Sequence, residues 1–240
     1  AGQGTVQTWK DHSDVFATIG NTKGVSAKSI SVNAKNDRTL DSTLVGASVA
    51  LYGALNGAVI TADVSGSAEA GIGDATGTYD GEVKATDGDI TISSEANTDM
   101  KASATGAAAG MFAGTGTGVD LKSGVTTKSF VGKGEKLTAE KGNISITAKN
   151  TPKLSALVTS AGVGMAGVGA TVANVTSNDK SNVFISDGAK LTATSGTVHV
   201  KAEMARPDSG ENFFAHAIAG GGGVVAGAVS VVDGNAAHET

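Results

Sequence analysis

The stretch Gly188 to Lys201, G-A-K-L-T-A-T-S-G-T-V-H-V-K, has two relatives within its own chain. Fifty-four residues upstream stands Gly134 to Thr147, G-E-K-L-T-A-E-K-G-N-I-S-I-T, and fifty-four before that Asp80 to Ser93, D-G-E-V-K-A-T-D-G-D-I-T-I-S. Val83, Leu137 and Leu191 therefore match in register, as do Gly88, Gly142 and Gly196, and Ile90, Ile144 and Val198. A shortened copy, Lys23 to Ala34, brings the count to four. Self-similarity at a fixed period marks a repeat architecture and outranks any single-residue motif.

Each copy carries a short apolar run, a glycine turn and then strict alternation. Ile144 and Ile146 face one way while Asn143, Ser145 and Thr147 face the other, and Ile30/Val32, Ile90/Ile92 and Val198/Val200 repeat the pattern. A period of two is a strand with one buried face. Stacked copies make columns of β-branched side chains. Aromatics are only 4% of the chain, and a thin core of Val, Ile, Leu and Ala suits a solenoid in which each coil contributes a few inward side chains. Glycine is 35 residues of 240 without a triplet period, which excludes collagen; hydrophobic content of 40% argues against disorder.

The expected fold is all-β, a right-handed parallel β-helix spanning 1–240, with sequence repeats at 22–79, 80–133, 134–187 and 188–240. Three coils of eighteen residues per repeat give about thirteen coils and a rod about 60 Å long. Asn36 to Ser42 reads as a polar loop. Val15-Phe16 reads as the counterpart of Val183-Phe184. Asn56-Gly57, Asp80-Gly81, Asp87-Gly88, Asp187-Gly188 and Asp233-Gly234 read as turns. Small-residue tracts at Leu44 to Val64, Ser103 to Leu121, Thr159 to Val175 and Ala215 to Val232 belong to the same repeat, the last displaced by four residues behind an insertion at Met204 to Asn212.

Net charge is −5 and the arginines are Arg38 and Arg206 alone, which argues against nucleic-acid binding. Cysteine is absent. No signal peptide is present, and both ends fall inside a repeat, so the chain reads as a piece of a longer one. Gly162-Val163-Gly164-Met165-Ala166-Gly167 fits G-x-G-x-x-G but lacks the strand–helix setting of a dinucleotide loop. Gly114 to Lys122 approaches a calcium-roll nonapeptide, but only once, and such rolls work in tandem. Ala215 to Val232 holds no formal charge apart from His216, and reads as close-packing sheet rather than a membrane span. Asp179 and Asp187 read as turn residues. The four histidines are scattered. No catalytic, cofactor or metal residues are assigned, and an enzyme is not expected. The insertion and the residues beside it, Arg206, Phe213 and Phe214, are the candidate binding loop.

The tract Ser160 to Thr176, S-A-G-V-G-M-A-G-V-G-A-T-V-A-N-V-T, alternates with Ile185 to Glu203, I-S-D-G-A-K-L-T-A-T-S-G-T-V-H-V-K-A-E. From about Val15 onward this style resembles the repeat regions of filamentous haemagglutinin-like bacterial adhesins, most closely the leukotoxin-type filamentous adhesins of anaerobic Gram-negative bacteria. The resemblance implies a β-helix, export through an outer-membrane partner, a secreted or cell-surface location, and attachment to host cells. It transfers no individual residue. A host-cell-directed leukotoxin is the alternative, and a carbohydrate-active β-helix enzyme a third.

Overall fold

The computed structural model describes residues 1–20, 23–74, 81–206 and 212–237. Every element among them is a strand and every pairing is parallel. A coil runs through a long strand, a sharp corner, a second long strand and a short strand. The chain is thus a parallel β-solenoid with two broad sides and one narrow side.

The first broad side, sheet I, stacks β3 (Ile30–Val49), β6 (Ile90–Ala109), β9 (Ile144–Val163) and a last rung made of β13 (Val198–Met204) and β14 (Phe213–Gly222). The second, sheet II, stacks β1 (Gly2–Ile19), β4 (Gly53–Ile72), β7 (Phe112–Val131), a rung made of β10 (Ala166–Ser177) and β11 (Lys180–Ile185), and β15 (Val225–Ala236). The narrow side stacks β2 (Val25–Ala27), β5 (Glu82–Ala85), β8 (Lys136–Ala139) and β12 (Lys190–Ala193).

The repeat columns stack as the sequence spacing requires: Val25, Val83, Leu137 and Leu191 on the narrow side, and Ile30, Ile90, Ile144 and Val198 at the start of sheet I. The number of coils differs from the expectation. One 54-residue repeat is one coil, not three. The small-residue tracts are not separate short coils but the ends of two 20-residue strands meeting at a corner. Instead of thirteen narrow coils, five rungs of sheet II rise about 20 Å, while each full strand runs about 65 Å across.

Other expectations fall with the eighteen-residue coil. Asn36 to Ser42 is the middle of β3, its side chains alternating in and out like those beside it. Asn56-Gly57 lies inside β4 and Asp233-Gly234 inside β15; Asn56 faces inward and donates to the Gly46 carbonyl at 2.8 Å, which keeps it in the strand. Gly188 is a turn glycine with φ 75°. Asp80 lies outside the described residues. Val15-Phe16 stacks through Ala68-Glu69 and Thr127-Lys128 onto Ser181-Asn182, two positions from Val183-Phe184. The displacement behind the insertion is five residues, since the register to the preceding rung changes from 54 at Met204 to 59 at Phe213.

The cross-section tapers. At the three-sided base the core is Ile72, Val83, Ile90, Ile92, Leu137, Ile144 and Ile146, each 1% exposed or less. Burying one such side chain contributes about 2–3 kcal/mol. A second cluster around Ile60, Met100, Leu121 and Leu154 fills the middle. At the corner, among the described residues, the buried apolar core narrows to Ala54, Ala108 and Ala113. There the two sheets come so close that a Cβ on Gly162 would lie 2.6 Å from the Val168 carbonyl oxygen, and one on Gly46 2.6 Å from Asn56. The G-x-G-x-x-G match is this corner: Gly162 ends the approach, Gly164 sits over the Gly110 carbonyl, and Gly167 is the second residue of β10. Ala215 to Val232 is likewise β14, a corner and β15.

Candidate functional site

The sequence-derived candidates separate. Arg206 is exposed and lines a groove on the outer face of sheet I. Phe213 faces inward and packs on the middle core. Phe214 faces outward, 43% exposed, with its ring edge-on to His216 at a centroid distance of 6.0 Å. The inserted residues 207–211 lie outside the described residues.

The groove has a volume of about 480 Å³. Strand alternation builds its walls. Asp37 of β3, Asn97 of β6 and Thr151 of β9 form one outward column; Thr39, Asp99 and Lys153 form the next. Lys35, Glu95, Lys149 and Glu203 form a third, with charge alternating rung by rung. Like charges are thereby kept from facing each other across neighbouring strands.

Asn97 ties the columns together. Its Nδ2 donates to Asp37 Oδ1 at 2.7 Å and to Glu95 Oε1 at 3.0 Å. Lys35 Nζ lies 2.9 Å from Asp37 Oδ2. The Asn97 hydrogen bond and then Lys35 hold the Asp37 carboxyl below the usual aspartate range, and Asp37 in turn raises Lys35. Lys153 Nζ stands 3.6 Å from Asp99 Oδ2. The other oxygen, Asp99 Oδ1, is buried without a hydrogen-bond partner, and so are Thr98 Oγ1, Thr151 Oγ1 and Arg38 Nη1. All four residues line the groove, and Thr98 is only 2% exposed. A buried polar atom left unpaired costs about 1–3 kcal/mol. Thr98 and Arg38 alternate inward beneath the groove, so of the four only Asp99 Oδ1 and Thr151 Oγ1 belong to side chains of the outward columns.

Arg38, one of only two arginines, is not a surface cation. Its side chain is 7% exposed, its Nε lies 3.3 Å from Asp11 Oδ2, and its Nη2 donates to the Ser13 carbonyl and hydroxyl on β1. It therefore spans the space between the two broad sheets beneath the groove.

Sequence reasoning missed Asp37, Asn97, Asp99 and Lys153. Their columns exist in the chain, but β3 and β6 are 60 residues apart rather than 54, so the period that revealed the core hid this face.

A second surface lies on the outer face of sheet II near the corner. Gly114 to Lys122, read against the calcium-roll pattern, is a plain stretch of β7 whose outward residues Gly114, Gly116 and Gly118 leave the backbone bare. Among the described residues no group of three or more acidic, His or Cys side chains is arranged to hold a metal. The corner itself exposes Leu51 at 77%, Tyr52 at 72%, Met165 at 57% and Val224 at 87%. Among the described residues, no helix is long and apolar enough to cross a membrane.

No protein-family model matches the chain. No curated protein and no solved structure matches it either.

Proposed function

We propose that this chain is a structural and adhesive segment of a large secreted bacterial surface protein, and that it meets the host cell through the groove on sheet I. The observation that carries this reading is the polar groove, in which two outward side chains, Asp99 and Thr151, each keep an oxygen without a hydrogen-bond partner. They alternate with amide and ammonium donors from Asn97, Lys149 and Lys153. Hydroxyl groups both donate and accept, so a hydroxyl-rich ligand such as a host glycan suits the arrangement. Repetition of polar outward rows on successive coils supports multivalent contact, in which weak sites add through effective concentration. Export of the parent chain through an outer-membrane partner, to the cell surface or medium, belongs to the same proposal and rests on the family resemblance.

The test is binding of the labelled chain to leukocytes and epithelial cells, with membrane leakage read in the same tubes. Saturable binding without leakage is expected, weakened at least about 10-fold by Asp99→Ala or Asn97→Ala, and reduced by glycosidase treatment of the cells. Absence of binding to either cell type overturns it. A second reading, a leukotoxin fragment acting on host membranes, is favoured by one observation, the exposed apolar corner at Leu51, Tyr52, Met165 and Val224. Leakage lost on Leu51→Lys would put that reading first.

A further inference from the structure

The outer face of sheet II beside the corner is a checkerboard. One column, read rung by rung, is Gly2, Leu55, Gly114, Val168, Gly227. The neighbouring column is Gly53, Phe112, Ala166, Val225, in the opposite phase. A third is Gly4, Gly57, Gly116, Ala170, Val229. The large members stand free: Leu55 is 65% exposed, Phe112 64%, Val225 67% and Val229 59%. None of these positions carries a charged or hydrogen-bonding side chain. Between the ridges on β4 and β10 runs a trough about two strand spacings wide, floored by the glycines of β7.

We infer that this face packs against the same face of a second copy of the chain. The reason is self-complementarity. Place a two-fold axis along the strands between β7 and β10. Each rung of β7 then opposes the partner copy's β10, and β4 opposes β15, with the columns preserved. Gly114 meets Val168 and Leu55 meets Gly227. Phe112 meets Ala166 and Gly53 meets Val225. Gly57 meets Val229. In these three columns every ridge falls on a gap, which is the isologous condition for a closed dimer. The polar border agrees: Asp120 opposes Asn174, Thr61 opposes Asp233, Lys122 opposes Thr176 and Asp63 opposes Asn235, so no like charges face each other. Sheets stacked in this way keep their strands within about 30° of each other and about 10 Å apart.

The extent is sufficient. With the next column, in which Gly118 meets Val172 but Val59 abuts Val231, four rungs by four outward positions cover roughly 500 Å² per copy, roughly 1,000 Å² in all, the lower bound of specific interfaces. Contiguous apolar surface of this size is also at the limit of what a monomer leaves exposed. The inside of the same region supplies little cohesion, since its buried core is Ala54, Ala108 and Ala113. A partner sheet outside contributes the burial that the tapered interior lacks. The proposal is independent of the adhesive reading, which concerns sheet I.

The test uses the fold's own vacant positions. A Cβ on Gly116 meets nothing within 4 Å, and Gly116 does not need a positive φ, so Gly116→Lys leaves the monomer undisturbed while placing a charge in the trough. Gly124 is also open, on the same strand but beyond the polar border, and Gly124→Lys is the control. Sedimentation equilibrium of the 240-residue chain is expected to give a concentration-dependent dimer. Gly116→Lys should weaken it at least about 100-fold with unchanged melting temperature, because a buried charge without a partner is costly; Gly124→Lys should leave it intact. A chain that stays monomeric at high concentration overturns the proposal. So does a dimer indifferent to Gly116→Lys. Binding of the monomer to lipid vesicles that Gly116→Lys abolishes would assign the face to a membrane instead.

Discussion

Asp179 Oδ1 accepts the backbone N–H of Val125 at 2.6 Å, from the rung above it in sheet II. The same oxygen accepts the Ser123 hydroxyl at 2.7 Å, and Oδ2 accepts the Ser177 hydroxyl. At this place the fourth rung breaks between β10 and β11, and a side chain takes over the accepting role that a strand carbonyl fills elsewhere. Asp179 is fully buried. It was expected as a turn residue; it is instead the patch over a gap in the sheet ladder.

Asp179→Ala removes an acceptor from three donors, two of them hydroxyls free to rotate and one a fixed N–H. The expected loss is about 2–4 kcal/mol in a denaturant titration, while Asp179→Asn, which keeps one carbonyl oxygen, should lose less.

Gly142 sits in the turn column between Gly88 and Gly196. A Cβ there would run into the Gly88 carbonyl, and one on Gly196 into that of Gly142. Gly142→Ala must therefore push neighbouring coils apart and should cost about 1–3 kcal/mol. Gly116→Ala, which meets nothing, should leave the monomer melting temperature unchanged.

Ile144 is fully buried in the base core, between Ile90 and Val198 in its column. Ile144→Ala leaves a cavity that neighbours above and below hold open, and about 3 kcal/mol should be lost. Val198→Ala, in the last rung and 43% exposed, should lose well under half of that.

Ionic ladders on the outside give a defined response to acid. The Ser67 hydrogen bond lowers the Asp14 carboxyl, Asn97 lowers Asp37, and Lys141 lowers Asp87, with Lys141 Nζ at 2.7 Å. A carboxyl lowered on folding stabilises the fold fully above its unfolded value, about 4, and the stabilisation is lost as pH falls through the lower folded value. Melting temperature should therefore hold steady from pH 7 to about pH 5 and fall below about pH 4. For Asp87 and Lys141, both exposed, added salt should blunt the effect.

The repeat was legible because its strongest positions are few and chemically alike. Val83, Leu137 and Leu191, with Ile90, Ile144 and Val198, announce a stack of parallel strands without any knowledge of shape. The glycines at 88, 142 and 196 were legible as a turn for the same reason. The candidate groove was not, except for Arg206, because its members lie on the polar face, where alternation tells which residues point outward but not which rungs they share. Register supplies that, and register between β3 and β6 follows an insertion.

By itself, then, the sequence determined the strand period, the buried columns and the parallel stacking, because alternation of apolar and polar residues fixes which face is inside. The number of coils was decided only in three dimensions. Ala and Gly tracts suit a short strand end or a long flat one equally well, and only the close approach of two backbones at the corner makes each repeat a single broad coil. Stacking in register leaves Gly114, Gly116 and Gly118 bare on one outer face and brings Asp37, Asn97 and Asp99 together on the other. Both surfaces arise from stacking coils whose lengths differ, a relation between distant segments that no local pattern carries.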